Sequence, residues 1–126
     1  MTYTNVSVLQ GLRILVVEDE PLLAMALVDE IEELGARVIG PVASLEGALD
    51  VIGTSAVDAA ILDVELQKKL VYPVADRLVE LGVPFVLTSG HDAAVLPERY
   101  ADVPHSAKPA PAIETLRLLA GLISPR

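Results

Sequence analysis

The sequence predicts an α/β fold in which a parallel sheet is covered on both faces by helices. Three observations carry that prediction. Five short apolar runs alternate with segments of helical periodicity along the 126 residues. The runs are apolar at both alternating positions, as in strands buried on two sides. Pro and Gly fall where helices should open and close.

Residues 1–11 read as polar and uncapped and end in Gly11, which predicts a flexible or loosely docked arm ahead of one domain spanning 12–126. Leu12–Val17 is the first strand and runs into Glu18 and Asp19. Pro21 opens a helix to Leu34, with Leu23, Leu27, Ile31 and Leu34 on one stripe. Arg37–Ala43 is a strand broken by Gly40-Pro41, which suits a sheet edge. Ser44 caps a short helix through Ile52, with Glu46 in its first turn. Val57–Leu62 is the third strand and ends at Asp63. A polar loop over Val64–Pro73 precedes a helix that stops at Leu81, before Gly82. Pro84–Thr88 is the fourth strand and leads into Ser89-Gly90. His91–Tyr100 contains Pro97 and is expected to be a short or irregular helix. Val103–Ala107 is the fifth strand, Lys108-Pro109 follow it, and Pro111 opens a last helix to Ile123.

Composition excludes several classes of function. A formal net charge of −9 argues against nucleic-acid binding, which needs clustered Lys and Arg. The chain has no Cys, hence no disulfide framework, thiolate zinc site or thiol nucleophile. No apolar run approaches a membrane span, and Met1–Gly11 lacks the features of a signal peptide. A soluble, cytoplasmic protein with no membrane partner is expected.

In sheets of this kind ligands bind at the carboxyl ends of the strands. Glu18 and Asp19 end the first strand, Asp63 the third and Thr88 the fourth, and Lys108 follows the fifth. Carboxylates held together repel, by roughly 4 kcal/mol per pair about 4 Å apart at an effective dielectric near 20. A cation is therefore expected, and hard oxygen ligands select Mg²⁺ or Mn²⁺. Asp63, between metal and Lys108, would stay ionised as a nucleophile toward a phosphoryl group, with Thr88 donating to a phosphoryl oxygen.

These residues in this order resemble a response-regulator receiver domain of two-component phosphorelay signalling, of the stand-alone type. The resemblance runs from about Leu12 to Ile123. It implies a flavodoxin-like sheet of order 2-1-3-4-5 with five helices, and Mg²⁺-dependent phosphorylation of Asp63 by a histidine kinase or phosphotransfer protein. It further implies metal binding by Glu18, Asp19, Asp63 and the backbone carbonyl of Glu65, with Asp19 the more direct ligand of the acidic pair. Thr88 becomes the switch hydroxyl, Ser89 the small residue that leaves room for the phosphoryl group, and Lys108-Pro109 a cis bond. Glu65 and Gly90 flank the path of a hydrolytic water and would tune phosphoryl lifetime. Such a domain catalyses its own phosphorylation without being a turnover enzyme, and signals to a downstream protein target.

The sequence also departs from that pattern. The loop after Asp63 carries Val64-Glu65-Leu66 and Tyr72-Pro73 in place of the frequent Pro and Gly landmarks. His105 stands where Tyr or Phe is usual, which makes it a candidate switch, and Ala110 replaces the aromatic after Lys-Pro. In the last helix Ile113, Leu116, Leu119, Ala120 and Ile123 share a face, while Leu118 and Leu122 lie opposite as a candidate homodimer or partner surface. Only three residues follow Ile123, so output through protein contact is expected unless the chain belongs to something longer. Two other readings remain. One is a Mg²⁺-dependent phosphohydrolase with an aspartyl nucleophile, which usually has a second Asp where Glu65 stands. The other is a receiver-like adaptor that works without phosphorylation, consistent with the missing aromatic.

Overall fold

A computed structural model of the chain describes residues 5–90 and 96–123. The strands are β1 (Arg13–Val17), β2 (Arg37–Val42), β3 (Ala59–Asp63), the short pair β4 (Glu65–Leu66) and β5 (Lys69–Leu70), β6 (Phe85–Ser89) and β7 (His105–Ala107). Five of them form one parallel sheet in the order β2-β1-β3-β6-β7. Counting the five sheet strands alone, this is the expected order 2-1-3-4-5.

The helices are α1 (Pro21–Glu33), α2 (Leu45–Thr54), α3 (Tyr72–Leu81) and α4 (Ala112–Ala120). α1 and α4 pack together on one face of the sheet, over Ile14, Val16, Ile61 and Val86. α2 and α3 cover the other, over Leu15, Val17, Leu62 and Leu87. Alternate residues of β1, β3 and β6 thus enter opposite cores, which is why their sequences are apolar throughout. The central strands are held from both sides, so their carboxyl ends are fixed points. Among the described residues there are four α-helices where five helices were expected. Residues 91–95 of the weak helical stretch lie outside the description, and Glu98–Tyr100 forms one 3-10 turn behind an extended Pro97.

Two segments differ from expectation. Residues 5–11 are a docked cap: Val6–Leu9 makes a 3-10 turn that contacts α4, and Leu9 is fully buried in that core. Val6 and Val8 pack against the same core beside Leu9, and the polar residues interspersed among them hid this short anchor. Residues 64–73, expected as a loop, contain the antiparallel β4–β5 hairpin with Gln67 and Lys68 at positive φ. Its base is closed by the Val71 N–H donating to the Val64 carbonyl at 2.8 Å.

Gly40 is required where it stands. Its φ is +98°, and a Cβ there would meet Val42 N at 2.8 Å and the Val16 carbonyl oxygen at 3.0 Å. It marks an irregularity in the β1–β2 register between Leu15 and Val17, after which the Val42 carbonyl accepts the Glu18 N–H at 3.0 Å. Both Gly40–Pro41 and Lys108–Pro109 are cis bonds.

Truncating Leu9 tests the docked cap. Leu9→Ala is expected to lower unfolding stability by about 2–4 kcal/mol in urea, as for other buried leucines. A loss below about 0.5 kcal/mol, the range of surface substitutions, would mean that the turn does not pack in solution.

Candidate functional site

The parallel sheet delivers Glu18, Asp63, Thr88 and Lys108 to one edge from four different strands. Glu18 and Asp63 are each 4% exposed. The Lys108 ammonium donates to Asp63 Oδ2 at 2.9 Å and to Glu18 at 3.0 Å, bridging the two carboxylates. Glu18 also accepts the Glu20 N–H at 3.1 Å, and Asp63 Oδ1 the Glu65 N–H at 3.3 Å. Asp19, half-buried beside them, accepts the Gln67 N–H of the hairpin tip at 2.8 Å. Each of Glu18, Asp19 and Asp63 offers an oxygen within 4.8 Å of the others.

One ammonium among three carboxylates leaves negative charge in excess. Burial, then the hydrogen bond with Glu18, pushes the Asp63 carboxyl up to about 7, against the opposing pull of Lys108. Burial alone would lower Lys108, but its bonds to Asp63 and Glu18 outweigh it and the net shift is upward. The donor set is all hard oxygen, with no nitrogen or sulfur ligand, and so fits Mg²⁺ or Mn²⁺. A pocket of about 320 Å³ opens past Asp19, Asp63, Glu65, Gly90 and Lys108. A carboxylate flanked by an ammonium and open to an incoming group can attack a phosphorus centre and have its product's charge offset.

The remaining sequence candidates fall into place around this pocket or away from it. Thr88 is buried at the end of β6, in register with Asp63 on β3 and Ser106 on β7. Ser89 is buried next to it, and its carbonyl accepts the Lys108 N–H at 2.8 Å. Gly90 borders the pocket, where a Cβ would make only an ordinary contact, 3.8 Å from Lys108 Cδ. Glu65 is exposed, and its backbone N–H is the group that reaches Asp63. His105 is half-buried on β7; its Nε2 is enclosed without a hydrogen-bond partner, and burial lowers its pKa. The last helix ends at Ala120, short of the expected Ile123, so Leu118 lies on α4, 37% exposed, and Leu122, 40% exposed, in the turn that follows it.

Other residues at the site escaped sequence reasoning. Gln67 and Lys68 reach the pocket rim through the hairpin, and no Asn-Gly or Asp-Gly pair announced that turn. Behind Thr88, a cavity of about 40 Å³ is lined by Ser106 and Thr115, which are buried between β7 and α4 with their hydroxyls 3.4 Å apart. Away from the pocket, Tyr72 stacks on Tyr100 with centroids 5.6 Å apart, and Arg99 lies over both rings. Arg99 and the Tyr100 hydroxyl both donate to Asp76 on α3, and these bonds hold its carboxyl below the usual range. Among the described residues no helix is long and apolar enough to cross a membrane.

A carboxyl raised on folding destabilises the native chain progressively as pH climbs from the unfolded value to the folded one. Below both values the effect is absent. In metal-free buffer, Asp63→Asn should therefore raise the thermal midpoint at about pH 8 and lose that gain near about pH 4. An equal gain at both ends of the range would contradict a raised Asp63.

No protein-family model and no curated protein matches the sequence. Solved structures do match. SdrG from Sphingomonas melonis Fr1 is 37% identical with a TM-score of 0.76, over 89% of this chain and 97% of that one. The BeF3-activated conformation of SdrG from Pseudomonas melonis Fr1 is also 37% identical, with a TM-score of 0.72 over 88% and 98%. A CheY-like response regulator receiver domain from Methylobacillus flagellatus is 26% identical, with a TM-score of 0.69 over 86% and 92%.

Proposed function

The chain belongs to the response-regulator receiver family, and from that premise we propose that Asp63 accepts a phosphoryl group from a phosphohistidine donor and thereby switches a protein-binding surface. The observation that carries the reading is the Lys108 ammonium shared between Asp63 and Glu18, beside Asp19, at the open edge of a parallel sheet. Asp63 Oδ attacks phosphorus as the nitrogen–phosphorus bond of the donor breaks, and the electron pair returns to the imidazole. Lys108 stays within reach of the new phosphoryl oxygens, and the Thr88 hydroxyl supplies a neutral donor.

Glu18, Asp19, Asp63 and the Glu65 carbonyl would hold Mg²⁺ or Mn²⁺. When bound, that ion offsets the charge that gathers as two anions meet. The BeF3-activated conformation of SdrG supports the same chemistry, since beryllium fluoride imitates a phosphoryl group. A hydrolase with Glu65 as acid-base fits less well, because it is the Glu65 backbone, and not its carboxylate, that bonds to Asp63. The exposed pair Leu118 and Leu122 is the proposed contact for a second copy or a downstream protein, and the enclosed His105 stands in for the aromatic reporter. Glu65, Ser89 and Gly90 tune access to the phosphoryl group from the pocket side.

Incubation with Mg²⁺ and labelled acetyl phosphate should give slow, stoichiometric, acid-stable and base-labile labelling of the wild type and none of Asp63→Asn. Rapid turnover would point to a hydrolase, and an unlabelled wild type to an adaptor. Leu118→Glu should reduce self-association or partner binding; an unchanged molar mass by light scattering together with unchanged partner affinity would remove α4 as the contact.

A further inference from the structure

Type I′ hairpin turns need positive φ at both central residues, so Asn-Gly, Asp-Gly and Gly-Gly dominate them. The β4–β5 turn places Gln67 at φ 48° and Lys68 at φ 69°, a conformation unfavourable to any residue with a Cβ. The tip is held in that state over the acceptor. Leu66 is buried at its base, and the Gln67 N–H is fixed by Asp19 at 2.8 Å. Both tip residues border the pocket together with Asp63, Gly90 and Lys108. Strain kept at the mouth of a site, where a less strained turn would delete the side chains, directs attention to what those side chains do.

A glutamine amide is uncharged and carries both an acceptor and two donors. It can take a hydrogen bond from a water and give one to a phosphoryl oxygen at the same time. Orientation of an attacking water by glutamine is a known device in phosphoryl hydrolysis. The neighbouring Lys68 ammonium has no acceptor with which to hold such a water. The geometry points to Gln67 as the residue that orients the hydrolytic water against phosphorylated Asp63, so that the hairpin sets the lifetime of the signal.

This inference rests on Asp63 being the phosphoacceptor. The water oxygen bonds to phosphorus as the phosphorus–Oδ bond breaks. The electron pair remains on the Asp63 carboxylate, and both water protons leave on the released dihydrogen phosphate. No other co-reactant is needed.

The test uses the full chain labelled by acetyl phosphate and Mg²⁺, freed of donor, with loss of label followed over time. Gln67→Gly relieves the turn and removes the amide, whereas Gln67→Leu keeps the strain and removes only the amide's hydrogen bonds. Both variants are expected to label within about twofold of the wild-type rate and to lose label at least roughly tenfold more slowly, since a misplaced reactant can cost up to about a hundredfold. Normal labelling with unchanged decay in both would overturn the role of Gln67 and leave Asp63 as acceptor. Slow decay in Gln67→Gly alone would assign the effect to the turn, and slow decay in Gln67→Leu alone to the bulk of the leucine; either would also overturn it. A wild type that takes no label removes the acceptor reading and this inference together.

Discussion

Like charges brought to the ends of neighbouring strands must be compensated, and the rest of the molecule is arranged around that requirement. A parallel sheet cannot avoid collecting its strand ends on one edge, and here those ends carry Glu18, Asp19 and Asp63. Lys108 answers part of the charge by contacting two carboxylates from a strand on the far side of the sheet. The remaining excess is what makes the edge receptive to cations. Gly40 belongs to the same arrangement, because the kink it permits lets the Val42 carbonyl hold the backbone of Glu18. The hairpin contributes by lending an N–H to Asp19.

Much of this was legible in the sequence, for a physical reason. β1, β3 and β6 are buried on both faces, so their composition alone separates them from helices and exposed strands. Once the strands are located, their terminal residues form the candidate site, and Glu18, Asp19, Asp63, Thr88 and Lys108 are found at the strand ends. What stayed hidden depends on single residues or on partners distant in sequence. Leu9 gives no periodicity, and its burial depends on α4, over a hundred residues later. The hairpin uses Gln67-Lys68 where turn preference asks for Asn or Gly. Ser106 and Thr115 read as ordinary polar residues until α4 is laid on β7 and closes over them.

The two faces of the sheet are built differently. The face under α1 and α4 is aliphatic, apart from the hydroxyl pair of Ser106 and Thr115 behind Thr88. The other face ends in an aromatic group in which Phe85 meets Tyr100 edge-on at 5.9 Å and Tyr72 stacks on the opposite side. Arg99 and Asp76 close that group at the surface, tying the 3-10 turn of Glu98–Tyr100 to α3. The chain that follows β6 is therefore anchored again before it re-enters the sheet as β7.

The outer strands also bear on how the molecule meets its neighbours. An open sheet offers unpaired backbone groups at each edge, and long flat edges recruit other chains into fibrous stacks. Here one edge, β2, is interrupted by Gly40-Pro41, and Pro has no N–H to give. The other, β7, has only three residues. Neither supplies a run long enough to template growth. With both backbone edges blunted in this way, the surface left for contact with other molecules is that of side chains on the helices and loops.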